Sequence, residues 1–191
     1  MPKIVDHDQY RKELLDKCLD VIAAKGYTAI TMRQIAQGLG VSTGTLYHYF
    51  PSKESLFEQL VEQISYQDTA DEAIAALKQL PTTRERIEAI FDYVAQREDY
   101  FLRQTLMLID FGRQRSRSEI TNNDILRRAG ERYEKAVMQI LEINDPELVK
   151  LMMNLCDGLL LRRLYQGDRI SLQPQIKLIV DIMATYLSDR N

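Results

Sequence analysis

Residues 31–50 read TMRQIAQGLGVSTGTLYHYF, a run that contains the start and end signals of two short helices. Thr31 is a preferred helix N-cap, and Gln34 stands where a capping box requires Glu or Gln. Gly40 suits the positive φ of a tight turn, and Ser42 is a suitable cap for the second helix. Two short helices joined by a glycine-containing turn form a helix-turn-helix, so this run predicts that motif.

The second helix of the motif is predicted to expose its first turn. That turn contains Thr43, Gly44 and Thr45, which are small enough to enter a major groove, and whose hydroxyl and methyl groups can contact base edges. No acidic residue occurs from Val21 to Lys53, which favours contact with phosphate. The apolar residues predicted to hold the pair of helices on the preceding helix are Ile35, Leu39, Val41, Leu46 and Phe50.

The composition of the whole chain is that of a helical globular protein. It has 191 residues, of which 45% are hydrophobic and 28% charged, with a formal net charge of -3. These values exclude global disorder and a strong overall attraction to nucleic acid. The 8 glycines and 5 prolines are too few for an all-β protein with many turns. The sequence contains no membrane-spanning apolar run and no secretory signal, so we expect a cytoplasmic protein without membrane partners.

Helical periodicity recurs along the chain and predicts an all-α fold of nine helices. We place the domain boundary inside the fourth helix. A helix-turn-helix domain of residues 1–52, extended by the first turns of helix four to about residue 65, precedes a second helical domain of residues 53–191. The predicted helices cover about residues 6–25, 32–39, 43–50, 53–80 (straight or broken), 83 onward, 99–112, 118–142, 146–166 and 172–188.

Side chains that could perform chemistry are sparse. Cys18 and Cys156 each lie among apolar residues in a helical pattern, which favours reduced core side chains over a redox or metal role. His7 and His48 form no metal-binding spacing. No Ser-His-Asp arrangement, His–carboxylate pair or phosphate loop is recognisable, so we expect no enzymatic activity, no metal and no cofactor.

A near-continuous pattern extends from about Gly26 to Leu60: GYTxITMRxIA, followed by GVSxGTLYHYFPSKExLF. It resembles the DNA-binding domain of TetR/AcrR-family transcriptional regulators, whose length and nine-helix layout also agree with this chain. The sequence departs from the family at two positions. Thr43 stands where many members have a basic residue, which implies weaker non-specific attraction to DNA. Gly38 stands where alanine is commoner, which implies a slightly looser first short helix.

The resemblance implies a homodimer that places two recognition helices in successive major grooves of a palindromic operator in double-stranded DNA. A helix-turn-helix is also a stable corner in proteins that do not bind DNA, but the exposed polar residues would then serve no purpose. The resemblance assigns phosphate contacts to Thr31, Ser42, Tyr47 and Lys53, phosphate or base contacts to Arg33 and Tyr49, and base contacts to Thr43, Gly44, Thr45 and His48. For His48, simple exposure to solvent remains an equal alternative.

The apolar helical domain that follows predicts a sensor for an unidentified small-molecule effector. Asp110 lies in an otherwise apolar stretch, so it either occupies a polar face or faces a cavity, where Arg103 or a cationic ligand would pair with it. Apolar stripes at helical spacing are, however, more often ordinary core. The candidate ligand-lining residues are Phe91, Tyr100, Gln104, Met107, Asp110, Phe111, Tyr133, Met152, Met153 and Cys156.

The last two predicted helices are candidates for a dimer interface. Residues 148–161 are apolar nearly all round, so one face is expected to pack on the core and the other on a partner subunit. The resemblance implies a four-helix bundle across the two-fold axis. We interpret Arg113, Arg115 and Arg117 as a solvated helix C-terminus, with phosphate or an acidic ligand as the alternative. The candidate interface residues are Leu155, Leu159, Arg162, Arg163, Ile179 and Met183.

These features predict a dimeric transcriptional repressor that a small apolar or amphipathic ligand releases from its operator. The alternative within the same class is a helix-turn-helix regulator without a small-molecule effector, controlled by a protein partner. An all-helical enzyme is a third reading, and the absence of recognisable catalytic groups disfavours it.

Overall fold

A computed structural model describes residues 6–188, whereas residues 1–5 and 189–191, which begin and end the predicted domains, lie outside the described range. Every regular element among the described residues is helical, which confirms the predicted all-α fold. The helices are α1 (His7–Ala23), α2 (Met32–Leu39), α3 (Thr43–Tyr49), α4 (Lys53–Asp68), α5 (Asp71–Lys78), α6 (Thr83–Gln96), α7 (Glu98–Gly112), α8 (Arg117–Thr121), α9 (Asp124–Leu141), α10 (Pro146–Gln166), a 3₁₀ turn (Gly167–Arg169) and α11 (Leu172–Ser188).

Two of the nine predicted helices are each divided, so the described residues form eleven α-helices. The fourth predicted helix breaks where Ala70 adopts an extended backbone with φ -61° and ψ 140°. The helix predicted for about residues 118–142 is interrupted at Asn123, whose side-chain oxygen accepts the backbone N–H of Leu126 at 3.0 Å. Asparagine is a preferred N-cap, so this second break has a local cause.

The chain forms two compact units. The first comprises Met1–Gln67 and Arg103–Gly130, and the second comprises Asp68–Leu102 and Glu131–Asn191. These units are defined by compactness and not by function. The boundary between functional domains that we predict inside α4 therefore stays a prediction.

The first unit is built around three aromatic rings and the buried faces of its short helices. The rings of Phe57 and Phe111 are stacked at 3.8 Å, and the ring of Tyr27 lies 5.1 Å from Phe57 and 5.3 Å from Phe111. Leu46 of α3 is completely buried, which fixes that helix on the unit. Cys18 is also buried, and burial raises the pKa of its thiol to about 12, so the side chain stays protonated as a core residue.

The second unit has one apolar core in which α6 packs against α11. Its buried residues include Ile87 and Phe91 from α6, Met152 from α10 and Val180 from α11. The burial of these side chains is the main term that holds the helices together. It also leaves other faces of α10 and α11 in contact with solvent.

Candidate nucleic-acid interface

Local capping interactions set the geometry of the helix-turn-helix. The Thr31 hydroxyl accepts the backbone N–H of Gln34 at 3.3 Å, and the Gln34 side chain accepts the backbone N–H of Thr31 at 3.0 Å. This is the predicted capping box, which satisfies two N–H groups at once. Gly40 takes a left-handed conformation with φ 71°, and the next N–H, from Val41, donates to the carbonyl of Ala36 at 3.0 Å. The conformation of the turn between α2 and α3 is therefore fixed by residues within and next to the turn.

The first turn of α3 is held rigidly but faces solvent. The Ser42 hydroxyl oxygen accepts the backbone N–H of Thr45 at 2.9 Å, and the hydroxyls of the two residues lie 2.8 Å apart. Ser42, Gly44, Tyr47 and His48 are exposed, and Thr43 and Thr45 are half-buried. An exposed first turn on an anchored short helix is the arrangement that recognition helices present to a major groove.

Gly44 has no structural requirement inside this chain. A Cβ atom built at this position meets only the Ser42 hydroxyl oxygen within 4 Å, at an ordinary contact distance of 3.7 Å. Glycine within a helix costs about 1 kcal/mol relative to alanine. A residue that weakens the helix without relieving any internal contact is understandable if something outside the chain approaches the backbone there.

Lys53 has a structural role that the sequence analysis missed. Its ammonium group donates to the carbonyl oxygens of Tyr27 at 2.9 Å and Ile30 at 3.0 Å, and lies 4.7 Å above the Tyr27 ring. These contacts fix the segment between α1 and α2. The phosphate contact predicted for Lys53 stays a prediction, whereas Arg33 and Lys25 are exposed.

Tyr49 is tied to the beginning of α1. Its hydroxyl oxygen lies 2.8 Å from His7 Nδ1 and shares a hydrogen bond with it. The rings of His48 and Tyr49 meet edge to face at 5.0 Å, and the Tyr10 ring lies 5.6 Å from that of Tyr49. His7 is thus a positioning residue for the end of α3. No spacing rule reveals it, because 42 positions separate the two residues.

The helix-turn-helix is accompanied by similarity to known regulators. The family model "Bacterial regulatory proteins, tetR family" matches residues 14–60. The HTH-type transcriptional regulator BetI of Rhizobium meliloti (strain 1021) is 30% identical over 192 residues, an alignment that covers 98% of this chain and 94% of BetI. The chain belongs to the tetR family of bacterial regulatory proteins. It is therefore a DNA-binding transcriptional regulator and not an enzyme.

Solved structures of tetR-family and related regulators share its fold. FadR of Bacillus subtilis, solved in complex with stearoyl-CoA, has a TM-score of 0.67 at 19% identity and covers 92% of this chain and 97% of its own. A TetR transcriptional regulator of Legionella pneumophila has a TM-score of 0.71 at 18% identity, with 95% of this chain and 100% of its own covered. At these identities the likeness concerns the fold alone.

In this tetR-family chain, Asp110 holds the loop that precedes the helix-turn-helix. Its carboxylate accepts the backbone N–H of Thr28 at 2.6 Å, and its carbonyl accepts the Thr28 hydroxyl at 3.1 Å. The predicted partner Arg103 instead pairs with Asp20 at 3.3 Å, so that pairing is wrong. The carboxylate is satisfied by a backbone donor from a distant segment, which sequence spacing cannot show.

Arg115 is likewise bound within the first unit. It donates to the Glu54 carboxylate at 2.6 Å and to the Phe111 carbonyl at 3.0 Å, and its guanidinium carbon lies 3.6 Å from the centroid of the Phe111 ring. The interpretation of a solvated arginine is therefore wrong for this residue. Arg113 and Arg117 are exposed, but Arg117 begins α8, so a helix C-terminus is the wrong interpretation for that residue.

The ten candidate ligand residues are divided between the two compact units. Phe91 and Met152 belong to the core of the second unit, with Met153 and Cys156 packed against it. Burial, and to a smaller extent Asp157, raises the pKa of Cys156 to about 12. Candidates in the first unit are Gln104, Met107, Asp110 and Phe111, and those in the second are Phe91, Tyr100, Tyr133, Met152, Met153 and Cys156. Their role in ligand binding stays a prediction.

The candidate interface residues are only partly on an accessible surface. Leu155 and Leu159 are half-buried against the core, and Arg162 is exposed. Arg163 donates to the Glu98 carboxylate at 2.8 Å, and its place at the rim of an interface stays a prediction. Ile179 and Met183 lie in the core of the second unit, which corrects their assignment to the interface. The large apolar side chains that α10 and α11 expose are Leu151, Tyr165, Leu178, Ile182 and Tyr186.

Among residues 6–188, no group of three or more His, Cys, Asp or Glu side chains is arranged to hold a metal ion. None of the described helices has the length and apolar character needed to cross a membrane.

Proposed function

We propose that this tetR-family regulator is a cytoplasmic, dimeric repressor that binds a palindromic operator through α3 and leaves it when a small apolar or amphipathic ligand binds. The observation that carries the DNA contact is the exposed, internally capped first turn of α3. Gly44, at the centre of this turn, has no internal packing role. The proposal assigns base contacts to Thr43, Gly44, Thr45 and His48, DNA phosphate contacts to Thr31, Ser42, Tyr47 and Lys53, and either kind of contact to Arg33 and Tyr49.

Dimerisation is proposed through the outer faces of the last two helices. Leu178 and Ile182 are one helical turn apart on α11 and are 56% and 59% exposed. Leu151 and Tyr165 add exposed apolar surface on α10. Burial of such an apolar stripe against another surface is favourable. A second copy of the same helices would form a self-complementary, two-fold interface with it. Such symmetry matches a palindromic site.

Ligand release requires an effector that binds the released conformation better than the DNA-bound one. The second unit contains an apolar core and the hydroxyls of Tyr100 and Tyr133, a combination that suits a ligand with both apolar and polar parts. FadR of Bacillus subtilis was solved with stearoyl-CoA, a molecule of that general kind. For the effector of the present chain we propose only this combination of apolar and polar parts.

Fluorescence anisotropy with labelled genomic fragments tests the DNA contact. The purified chain should select fragments that contain an inverted repeat, and its affinity should fall steeply with salt. Arg33→Ala should weaken binding to all fragments and reduce the salt slope by about 1, whereas Lys78→Ala on α5 of the second unit should change neither. Failure to bind any fragment at low ionic strength would overturn the proposal.

A further inference from the structure

A buried carboxylate lies among tyrosines in the second unit. Asp68, the last residue of α4, has a side chain that is only 2% exposed. It accepts the Tyr100 hydroxyl at 3.0 Å through Oδ1 and the Tyr133 hydroxyl at 2.7 Å through Oδ2. Burial raises the pKa of both tyrosines, and the Asp68 carboxylate raises it further, so both hydroxyls keep their protons. The tyrosines orient the carboxylate but bring no positive charge to it.

Arg97 brings a positive charge close to this carboxylate. Its Nη1 atom lies 3.8 Å from Asp68 Oδ1, which is longer than a hydrogen bond. The guanidinium carbon lies 4.3 Å from the ring centroid of Tyr100 and 5.0 Å from that of Tyr93, and the guanidinium donates to the Tyr93 hydroxyl. Both ring distances are typical of cation–π contacts. The surroundings of Arg97 are thus those of a cation-binding site.

Arg97 is the exposed member of this ion pair. Its side chain is 42% exposed, and its backbone lies between the end of α6 and the beginning of α7. The side chain can therefore turn into solvent, but that move takes its positive charge away from the buried Asp68 carboxylate, which is unfavourable unless another cation replaces it. The ring faces of Tyr93 and Tyr100 and the carboxylate of Asp68 would then be open to another cation.

We propose that Asp68, Tyr93, Tyr100 and Tyr133 form a binding site for a small organic cation, and that Arg97 occupies this site when the ligand is absent. We call these four residues the tyrosine–carboxylate cluster. Aromatic faces favour diffuse, weakly hydrated cations over compact, strongly hydrated metal ions. If the proposed function is right and this ligand is the effector, the effector is amphipathic and carries a cationic group.

Calorimetric titration of the full chain with tetramethylammonium chloride tests this site, with sodium chloride adjusted to keep the ionic strength constant. Tert-butanol, which has a similar shape but no charge, serves as the comparison ligand. We expect saturable binding of tetramethylammonium at one site per chain and none of tert-butanol. Arg97→Ala should tighten binding about ten-fold because it removes the competing cation. Arg84→Ala is the matched control, because Arg84 pairs with Asp181 elsewhere in the second unit and its loss should leave the affinity unchanged.

Two variants within the cluster should have the opposite effect. Asp68→Asn removes the charge and Tyr100→Leu removes a ring face, and each should weaken binding by about ten-fold or more. If circular dichroism shows that Asp68→Asn is unfolded, Tyr100→Leu in the Arg97→Ala background decides the question. Absence of saturable binding to the Arg97→Ala variant, or an affinity that Tyr100→Leu leaves unchanged, would overturn the site.

The effector role is read out separately by adding tetramethylammonium to a preformed protein–DNA complex. Release of DNA that Tyr100→Leu suppresses supports the site as the effector site. Binding with the expected variant pattern but without release would overturn the effector role and leave the cation site standing. Loss of all DNA binding by the unliganded chain would contradict the proposed function and leave the titration result unaffected.

Discussion

The Cγ1 atom of Val21 lies 2.7 Å from the position that a Cβ atom at Gly38 would occupy. Helix α2 packs against α1, and at this point of the contact a hydrogen atom fits where a methyl group does not. The sequence interpretation treated Gly38 only as a residue that loosens α2. The structure shows what the glycine provides, which is close approach of the motif to the helix that supports it.

Gly38→Ala should therefore destabilise the chain, although alanine is the better helix former. We expect a loss of about 1–3 kcal/mol in the free energy of unfolding, because Val21 and its neighbours must move. Gly130→Ala is the matched control, since Gly130 lies within α9 and, apart from the adjacent residues and backbone of that helix, no atom lies within 4 Å of its added Cβ. That variant should gain up to about 1 kcal/mol. Urea unfolding of both variants measures whether the free energy of unfolding falls for Gly38→Ala and rises for Gly130→Ala.

A second substitution isolates the contact itself. Val21→Ala removes the methyl groups that Gly38→Ala would strike, so the double variant should be less destabilised than the sum of the single variants. The coupling energy should be about 1 kcal/mol or more. Additive effects would show that the approach of α2 to α1 is not limited by this pair.

Lys53→Met should lower the stability of the chain even in the absence of DNA. The substitution keeps much of the apolar stem but leaves the carbonyl oxygens of Tyr27 and Ile30 without their donor. A loss of about 1–3 kcal/mol is expected. Lys25→Met removes an exposed lysine of the same region and should leave the unfolding midpoint unchanged. Equal midpoints for the two variants would argue that Lys53 acts only in contact with DNA.

Glu142 should contribute to the acid dependence of stability. Hydrogen bonds from Arg86 and Lys78 lower the pKa of its carboxyl below the usual value. A lowered pKa in the folded state gives stability that is present above the unfolded pKa and is lost as the pH falls through the folded pKa. Glu142→Gln should be less stable than the parent at pH 7, and the difference should shrink below about pH 4. A difference that persists at pH 2 in urea unfolding would contradict this electrostatic cause.

Substitutions on the exposed face of α11, compared with one on its buried face, test the proposed dimer. Leu178→Glu together with Ile182→Glu places charges on the exposed face and should yield folded monomers in light scattering. Ile179→Glu places one charge in the core of the second unit and should instead lower the thermal midpoint. A dimer that survives the double substitution would move the interface to another surface.

The sequence predicted best what depends on neighbouring residues. The cap at Thr31, the turn at Gly40 and the cap at Ser42 each depend on partners within a few positions, so residue type and spacing were sufficient. The interruption at Asn123 had the same kind of local signal but was overlooked. The family pattern then identified the exposed turn of α3 from the same short stretch.

The sequence could not reveal contacts that the fold creates between distant segments. The carboxylate of Asp110 binds the Thr28 backbone across 82 positions, and His7 meets Tyr49 across 42. On α11, apolar residues occur at 178, 179, 182 and 183, so periodicity alone did not tell the inner pair from the outer pair. Only the packing of α11 against α6 decides that Ile179 is inside.

The most direct test of the central claim, that the first turn of α3 approaches DNA, is the affinity of Gly44→Leu for an operator fragment. Gly44 is exposed and an added Cβ atom there makes only an ordinary contact, so we expect the variant to fold and to lose DNA affinity by about a hundred-fold or more. Gly130→Leu, at an exposed helical glycine, should bind as tightly as the parent. Undiminished binding by a folded Gly44→Leu variant would contradict the account.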